Sequence, residues 1–555
     1  MKTQLRKTAL SLAIAACVSV SGAAMANETS SSVKGQITGP NGSPAAGTKI
    51  TVIHVPSGST KTTTVNEAGS FSTKGLRVGG PYKIIVDSDK FQDTELENIY
   101  LTLGQTYPVT VALSSEQMEQ IVVTGAPISS QSGGTGPAST FSLSDLENKP
   151  AINRDLKDII RADPRIYIDE TNAGAINCGG GNPRFNSLTL DGVRMNDNFG
   201  LNSSGYPTER IPFSFDSIAQ VAVELAPFDV QYGGFTSCNI NAVTKSGTNE
   251  LTGGFFYDYT NDSLSGDSIK GNKQDLGDYS EKRYGFNVGL PLIEDKLFLF
   301  TSYEKLEGAE IFEYSPFVNG RIDQATIDRV TQIAIDNYAY DPGSLIPSMP
   351  VEDEKILVKL DWNINDSHRA SFLYNYNDGF AISQSDTGSE RLALSNHFYE
   401  RGAKLESYVT SFYSDWTDNF STEIRVGYSK LDNRQNSIDA ASGFGEFQIN
   451  TGDVTVYLGP DDSRQSNKLN YDNLSLKLAG TYYLEEHELS FGYEREELDV
   501  FNLFVQHSQG EYRFSSIDDF ENGVARVYYG NAASQNPDDA AGEFKYALNT
   551  LYAQD

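Results

Sequence analysis

Only three of the 555 residues are cysteine, and basic residues are outnumbered by acidic ones, 43 to 74. The resulting net charge of −31 excludes nucleic acid as a partner, because phosphates need a basic face. Beyond the first 26 residues no apolar run approaches the ~20 residues that a membrane-spanning helix needs. With a mean hydropathy of −0.39, a polytopic helical membrane protein is excluded. Catalytic patterns are missing as well. The five histidines, His54, His368, His397, His487 and His507, are scattered and lack His-x-x-x-His spacing. There is no phosphate-binding Gly-Lys-Ser/Thr loop, no Gly-x-Ser-x-Gly elbow and no EF-hand. The chain reads as a non-enzyme, with no cofactor and no metal.

The first residues do carry an address. Lys2, Arg6 and Lys7 precede a short apolar stretch, residues 8–20, and Ala24-Met25-Ala26 supplies small residues at a cleavage site. This pattern marks residues 1–26 as a secretory signal, with the cut before Asn27. Ile14-Ala15-Ala16-Cys17 resembles a lipobox, so lipidation of Cys17 is the alternative; a buried N-terminal helix is the bland one.

What the chain has in quantity is tyrosine (30), phenylalanine (29) and glycine (49). An acidic, aromatic, glycine-rich exported chain of low mean hydropathy suits a transmembrane β-barrel, where only every second side chain faces lipid. A soluble secreted β-protein shares much of this signature.

Composition separates three regions. Residues 27–115 hold six or seven short strands (33–38, 49–54, 61–65, 70–73, 82–87, 106–113) between turns such as Gly39-Pro40-Asn41-Gly42 and Gly79-Gly80-Pro81, the pattern of a small β-sandwich. Residues 116–137 are a Ser/Gly-rich linker that opens on Glu119-Gln120-Ile121-Val122-Val123-Thr124-Gly125. Residues 138–249 mix helix and strand: a helix from Ser144, a second over 153–162 stopped by Pro164, and strands at 165–169, 187–190, 218–225 and 240–245.

Residues 250–555 repeat strand and loop. Ile356, Val358, Leu360 and Trp362 alternate with Leu357, Lys359, Asp361 and Asn363, and the chain returns through Ala370, Phe372, Tyr374 and Tyr376. Roughly ten or eleven such strands, with tight turns at one end and long polar loops at the other (261–280, 307–353, 433–472), match a transmembrane barrel. Ile356, Val358, Leu360 and Trp362 are expected to face lipid. A lysine at Leu360 is expected to cost about 2–4 kcal/mol near the bilayer midplane and one at Asp361, on the lumen side, to be milder. The acidic runs 494–497 and 518–521 read as solvated faces.

Several segments resemble a known family. Gly35-Gln36-Ile37-Thr38, Asn66-Glu67-Ala68-Gly69-Ser70-Phe71 and Gly80-Pro81-Tyr82-Lys83-Ile84 resemble a carboxypeptidase-regulatory-like domain. Arg154 to Ile166, Leu188-Thr189-Leu190-Asp191-Gly192-Val193, Asp216 to Glu224 and Ile240 to Asn249 are similar, in order, to the plug of TonB-dependent outer-membrane receptors. Ala226-Pro227-Phe228-Asp229-Val230 stands where an Arg-Gly-Pro version is commoner, which resembles the Oar-like branch.

The resemblance implies a mainly β protein: a small sandwich, an α+β plug, and the first half of a barrel of about 22 strands, so the chain is expected to be a C-terminally truncated piece. It implies a receptor of the outer membrane, with the N-terminal domain in the periplasm, that takes up a small or oligomeric ligand. Ile121, Val122, Val123 and Thr124 would be the TonB box, binding the inner-membrane TonB complex by strand addition; read locally, they are equally the last strand of the first domain. Outer-membrane lipid is the other partner. An adhesin or assembly protein that binds through its loops without transport is the alternative. Cys178 and Cys238 remain after export as an even pair in an oxidising compartment beside plug motifs, either bonded or as free thiols. Gly179, Gly180, Gly181 and Asn182 read as a plug-apex loop that could touch ligand.

Overall fold

The computed structural model describes residues 28–115, 122–124, 138–202, 204–266, 268–273, 278–484, 487–532, 534 and 536–555. The expected signal (1–26), most of the linker and Ile121 lie outside the described residues.

The N-terminal sandwich has two sheets. In one, Ser31–Thr38 runs between Ser70–Leu76, antiparallel, and Thr106–Ala112, parallel. The other has the order Ser59–Thr64, Lys49–His54, Gly79–Asp87, Thr94–Leu101, Val122–Thr124. Alternation buries one face of each strand, and Val33, Ile37, Ile50, Val52, Phe71, Ile84 and Val109 meet in the core. The sequence pattern had given no strand at Thr94–Leu101. Only Ile99 and Leu101 of that strand are buried, so Glu95, Glu97 and Asn98 dilute its alternation.

The middle domain is built on a five-stranded sheet. Its order is Val193–Arg194, Ser187–Leu190, Asn239–Thr244, Ile218–Glu224, Ala138–Phe141. Asn239–Thr244 is buried along its whole length, as a central strand covered on both faces must be. The first helix is Leu143–Asn148, not a helix from Ser144. Ser142 caps it: its Oγ accepts from Asp145 N, and Asp145 reaches back to Ser142 N, a reciprocal capping box. The second helix is confined to Leu156–Ile160, capped by Asp155.

Around this domain stands a sheet of ten antiparallel strands, from Thr252–Asn261 to Gly542–Gln554, each paired with the next in sequence within the sheet. Several reach 18 or 19 residues, well beyond the ~10 that cross a bilayer. Along Ser348–Asn365, Leu357, Lys359, Asp361 and Asn363 are buried against the interior, while Ile356, Val358 and Leu360 are half-exposed and Trp362 is 51% exposed. The outward face is therefore the apolar one. Among the described residues the sheet is open between its first and last strands.

Tight turns at 294–296, 366–367 and 418–419 mark one end of this wall. At the other, the long connections are not merely polar loops. The helix Gln324–Tyr338 packs on a sheet ordered Arg391–Ala393, Thr455–Leu458, Glu446–Asn450, Glu511–Phe514, Val527–Tyr529. Ile327, Val330, Phe447, Val456, Phe514 and Phe520 form its core. Four connections pool their apolar residues into one module. No single connection carries enough of them to show a core by itself, which is why 307–353 and 433–472 read as loops.

Candidate functional site

The Asp-Gly-Val segment shows how the middle domain is seated. Asp191 (φ +45°) and Gly192 (φ +77°) make the turn between Ser187–Leu190 and Val193–Arg194. Both take the left-handed region that favours Gly, Asn and Asp. A Cβ at Gly192 would meet the Arg425 guanidinium of the wall 1.8 Å away, so the arginine would have to move. The turn aims Asp191 back at its own sheet and outward at the wall. Its carboxylate accepts from Thr244 N (2.9 Å) and Thr244 Oγ1 (2.6 Å) and lies 3.2 Å from Lys359 Nζ of the wall. Lys359 also donates to Thr244 Oγ1 at 2.9 Å.

Further polar contacts join this domain to the wall, between apolar wall residues such as Phe300, Leu357, Leu405 and Val409 that pack into the domain's own core. Arg401 of the wall donates twice to Glu209, at 2.5 and 3.0 Å. Ser214 Oγ donates to Glu304, which shares Lys355 with Asp353. Asn375 Nδ2 donates to Pro212 O at 3.0 Å and Tyr471 OH to Asn196 O at 3.2 Å. The neutral hydrogen bonds among these stabilise by about 0.5–1.5 kcal/mol net each and those to charged groups by about 1.5–3 kcal/mol.

The N-terminal sandwich rests on the tight-turn end of the wall. Lys61 pairs with Asp415 (2.5 Å), Lys74 with Glu488 (2.6 Å), and Arg369 donates to Gly75 O at 2.9 Å. Gln220 of the middle domain clasps the backbone of the sandwich, accepting from Leu103 N and donating to Leu101 O. A cavity of about 1090 Å³ lies where the three parts meet, with Arg77, Lys359, Asp361 and Arg369 in its lining. Asp361 is 1% exposed and 3.6 Å from Arg77. A lysine there would face Arg77, Arg369 and Lys359 instead of open lumen, a cost that the lumen-side reading of the sequence did not include. Nearby His54 is held neutral: burial, then the charges of Arg77 and Arg369, push its imidazole down to about 3.

The residues singled out in the sequence fall in three places. Val122, Val123 and Thr124 pair in parallel with Glu95, Leu96 and Glu97, as the edge strand of the sandwich's five-stranded sheet. Cys178 and Cys238 are joined by a disulfide, 5.8 Å between Cα atoms, which ties the hairpin Ile166–Asp169/Ala175–Cys178 to the start of Asn239–Thr244. Gly179 and Gly180 take positive φ in the turn after Cys178, Gly181 N donates to Cys178 O, and Asn182 caps Pro183–Phe185. This turn is apart from the cavity.

Sequence reading missed a further constellation. In the loop-end module, Asp386, His397, Glu446 and Asp461 bring ligand-type atoms within 4.8 Å of one another, as do Asp462, His507 and Glu511. Burial raises the Glu446 carboxyl to about 7. Burial opposes charge on His397, but its bond to Asp386 and the charges of Glu446 and Asp461 lift the imidazole to about 9. The two groups are gathered from connections up to 125 residues apart (386 to 511), so no spacing rule could have found them.

A domain seated inside a wall of long, outwardly apolar antiparallel strands defines a plugged outer-membrane β-barrel. Comparison with known proteins agrees. Residues 243–312 and 307–555 match the outer membrane beta barrel domain, and residues 32–114 the carboxypeptidase regulatory-like domain. The chain is 25% identical over 327 residues to the TonB-dependent transporter Oar of Myxococcus xanthus, covering 53% of this chain and 28% of that protein. It superposes with TM-score 0.55 and 13% identity on the outer membrane transporter YddB of Escherichia coli, covering 75% of this chain and 54% of the other. The chain thus spans about a quarter to half of the length of these relatives. It belongs to the outer membrane β-barrel family.

Proposed function

We propose that the chain works in energised uptake: a small or oligomeric ligand binds from the loop end, and TonB, pulling on residues 121–124 in the periplasm, shifts the plug to open a path. No bond of the ligand is made or broken. The observation that supports this best is the contrast between what is pulled and what would move. Val122–Thr124 sits at a sheet edge, paired through backbone to Glu95–Glu97, and an edge strand of this kind can exchange one partner edge for another. Downstream lies a domain with an apolar interior, held to the wall by ion pairs and hydrogen bonds with apolar wall residues between them. The two readings of Val122–Thr124, last strand of the sandwich and TonB box, are then two states of one segment, parked and engaged. The relatives that match are named as transporters, which favours uptake over adhesion.

The test needs no knowledge of the ligand. In cells, Val122→Cys is expected to form a disulfide with cysteines placed on the edge strand of TonB's periplasmic domain. Val122→Pro removes a backbone donor and is expected to abolish capture of TonB while the receptor stays in the membrane with an intact sandwich. Absence of any Val122→Cys cross-link contradicts the box. Unfolding of the sandwich by Val122→Pro, with TonB capture unchanged, would leave the segment only its structural role.

A further inference from the structure

The loop-end module buries polar groups that its apolar core does not need. His397 sits in the turn Ser395–His397 with its side chain fully buried. Its Nδ1 lies 2.8 Å from Gly459 O, so Nδ1 carries the proton and Nε2 points the opposite way. There Nε2 meets Asp386 Oδ2 at 3.2 Å and Asp461 Oδ2 at 4.0 Å. Glu446, also buried, completes the group. Asp386 and His397 come from the connection 384–398, Glu446 and Asp461 from 438–466.

Three carboxylates converge on the single imidazole of His397. Arg391 reaches Asp386 at 3.4 Å and Arg464 reaches Asp461 at 3.2 Å. Among the described residues no Lys or Arg pairs with Glu446, whose oxygens accept from Asp462 N and Gln448 Nε2. Next to it, His507 Nδ1 is a buried atom without a hydrogen bond, although Glu511 and Asp462 lie 3.0 and 3.2 Å away. The only charge of opposite sign that acts on Glu446 is the shared His397 imidazole, and a buried carboxylate so weakly compensated is costly. An imidazole whose Nδ1–H is fixed on a backbone carbonyl, with Nε2 turned to carboxylates, is the arrangement that orients a metal-binding histidine. One imidazole with three carboxylates suits a borderline ion, whereas calcium takes six to eight oxygens.

We propose that Asp386, His397, Glu446 and Asp461 bind a divalent transition-metal ion, Zn²⁺ or Mn²⁺, which staples the connections 384–398 and 438–466 to each other at the outer end of the barrel. The role is structural, and it is independent of how the plug is moved.

The receptor is purified from outer membranes in detergent, stripped with chelator and dialysed against Zn²⁺, Mn²⁺ or Ca²⁺. About one equivalent of Zn²⁺ or Mn²⁺ is expected to remain by elemental analysis. His397→Ala and Glu446→Gln are each expected to lower retention at least tenfold, while His487→Ala, at the tight-turn end, leaves it unchanged. Stripping is expected to make 384–398 and 438–466 more sensitive to protease. If the variants disturb the module itself, X-ray absorption of the zinc-loaded wild type decides: imidazole back-scattering is expected, and an oxygen-only shell overturns the site. No retained ion in the wild type, or calcium retention indifferent to His397→Ala, overturns it equally.

Discussion

The plug has two surfaces made of different chemistry. Inside, Leu156, Ile159, Ile160, Leu190, Val221 and Ile240 are packed out of contact with water. At the wall, Asp191–Lys359, Glu209–Arg401 and Ser214–Glu304 carry the contact, with apolar wall residues such as Phe300, Leu357 and Leu405 between them. An apolar interior has no substitute for its own packing, whereas a charged seam can exchange partners with entering water. A pull that overcomes the seam can therefore leave the interior whole. The plug is built to shift as a unit more readily than to melt.

Substitutions can break that contrast, beginning with the largest effect. Leu190→Asp places an unpaired charge in the plug interior and is expected to cost about 4 kcal/mol or more, seen as a protease-sensitive plug in an intact wall. Reducing the Cys178–Cys238 bond, which closes a loop of 60 residues, is expected to remove about 4 kcal/mol by chain entropy. Unreduced peptide mass spectrometry should show the linked pair, and two alkylated thiols would count against it. On the lipid face, Leu360→Lys is expected to cost about 2–4 kcal/mol near the bilayer midplane, read by heat-modifiable gel mobility. Lys359→Met, at the seam, removes a buried counter-charge of Asp191 and is expected to cost about 3 kcal/mol, although Asp191 keeps both donors of Thr244. Hydrogen exchange should rise at Asn239–Thr244 without spreading to the interior; a plug that melts as it does in Leu190→Asp would erase the distinction.

The smallest effect belongs to the sandwich. His54 stays neutral in the fold because burial and the guanidinium groups of Arg77 and Arg369 hold it at about 3. Its folded pKa is depressed below the unfolded value of about 6.5. The stabilisation it confers is thus complete above pH 6.5 and falls as the pH drops toward 3. Between pH 7 and pH 6 the loss is about 0.7 kcal/mol. A His54→Gln variant should lack that part of the pH dependence in urea titrations.

Much of this was legible in the sequence where the periodicity is local. The period-2 alternation around Ile356–Trp362 gave both strand and face. What depended on distant partners was not legible. Thr94–Leu101 is a strand because neighbouring strands pair with it, despite two glutamates. The module at the loop end needs four connections to close one core, so Phe447 and Phe514 read as isolated aromatics. Asp361 looked like a lumen residue tolerant of charge until Arg77, nearly three hundred positions earlier, was brought beside it.

The central claim is that force on Val122–Thr124 moves the plug without unfolding it. The most direct measurement holds the receptor's wall fixed in a membrane and pulls through the periplasmic domain of TonB bound at residues 121–124. The expected record begins with release of Val122–Thr124 from Thr94–Leu101. A step follows that admits solvent at the Asp191–Lys359 seam while the interior around Leu190 and Val221 stays protected. Detachment of TonB before any movement of the plug, or loss of interior protection in the first step, would contradict the account.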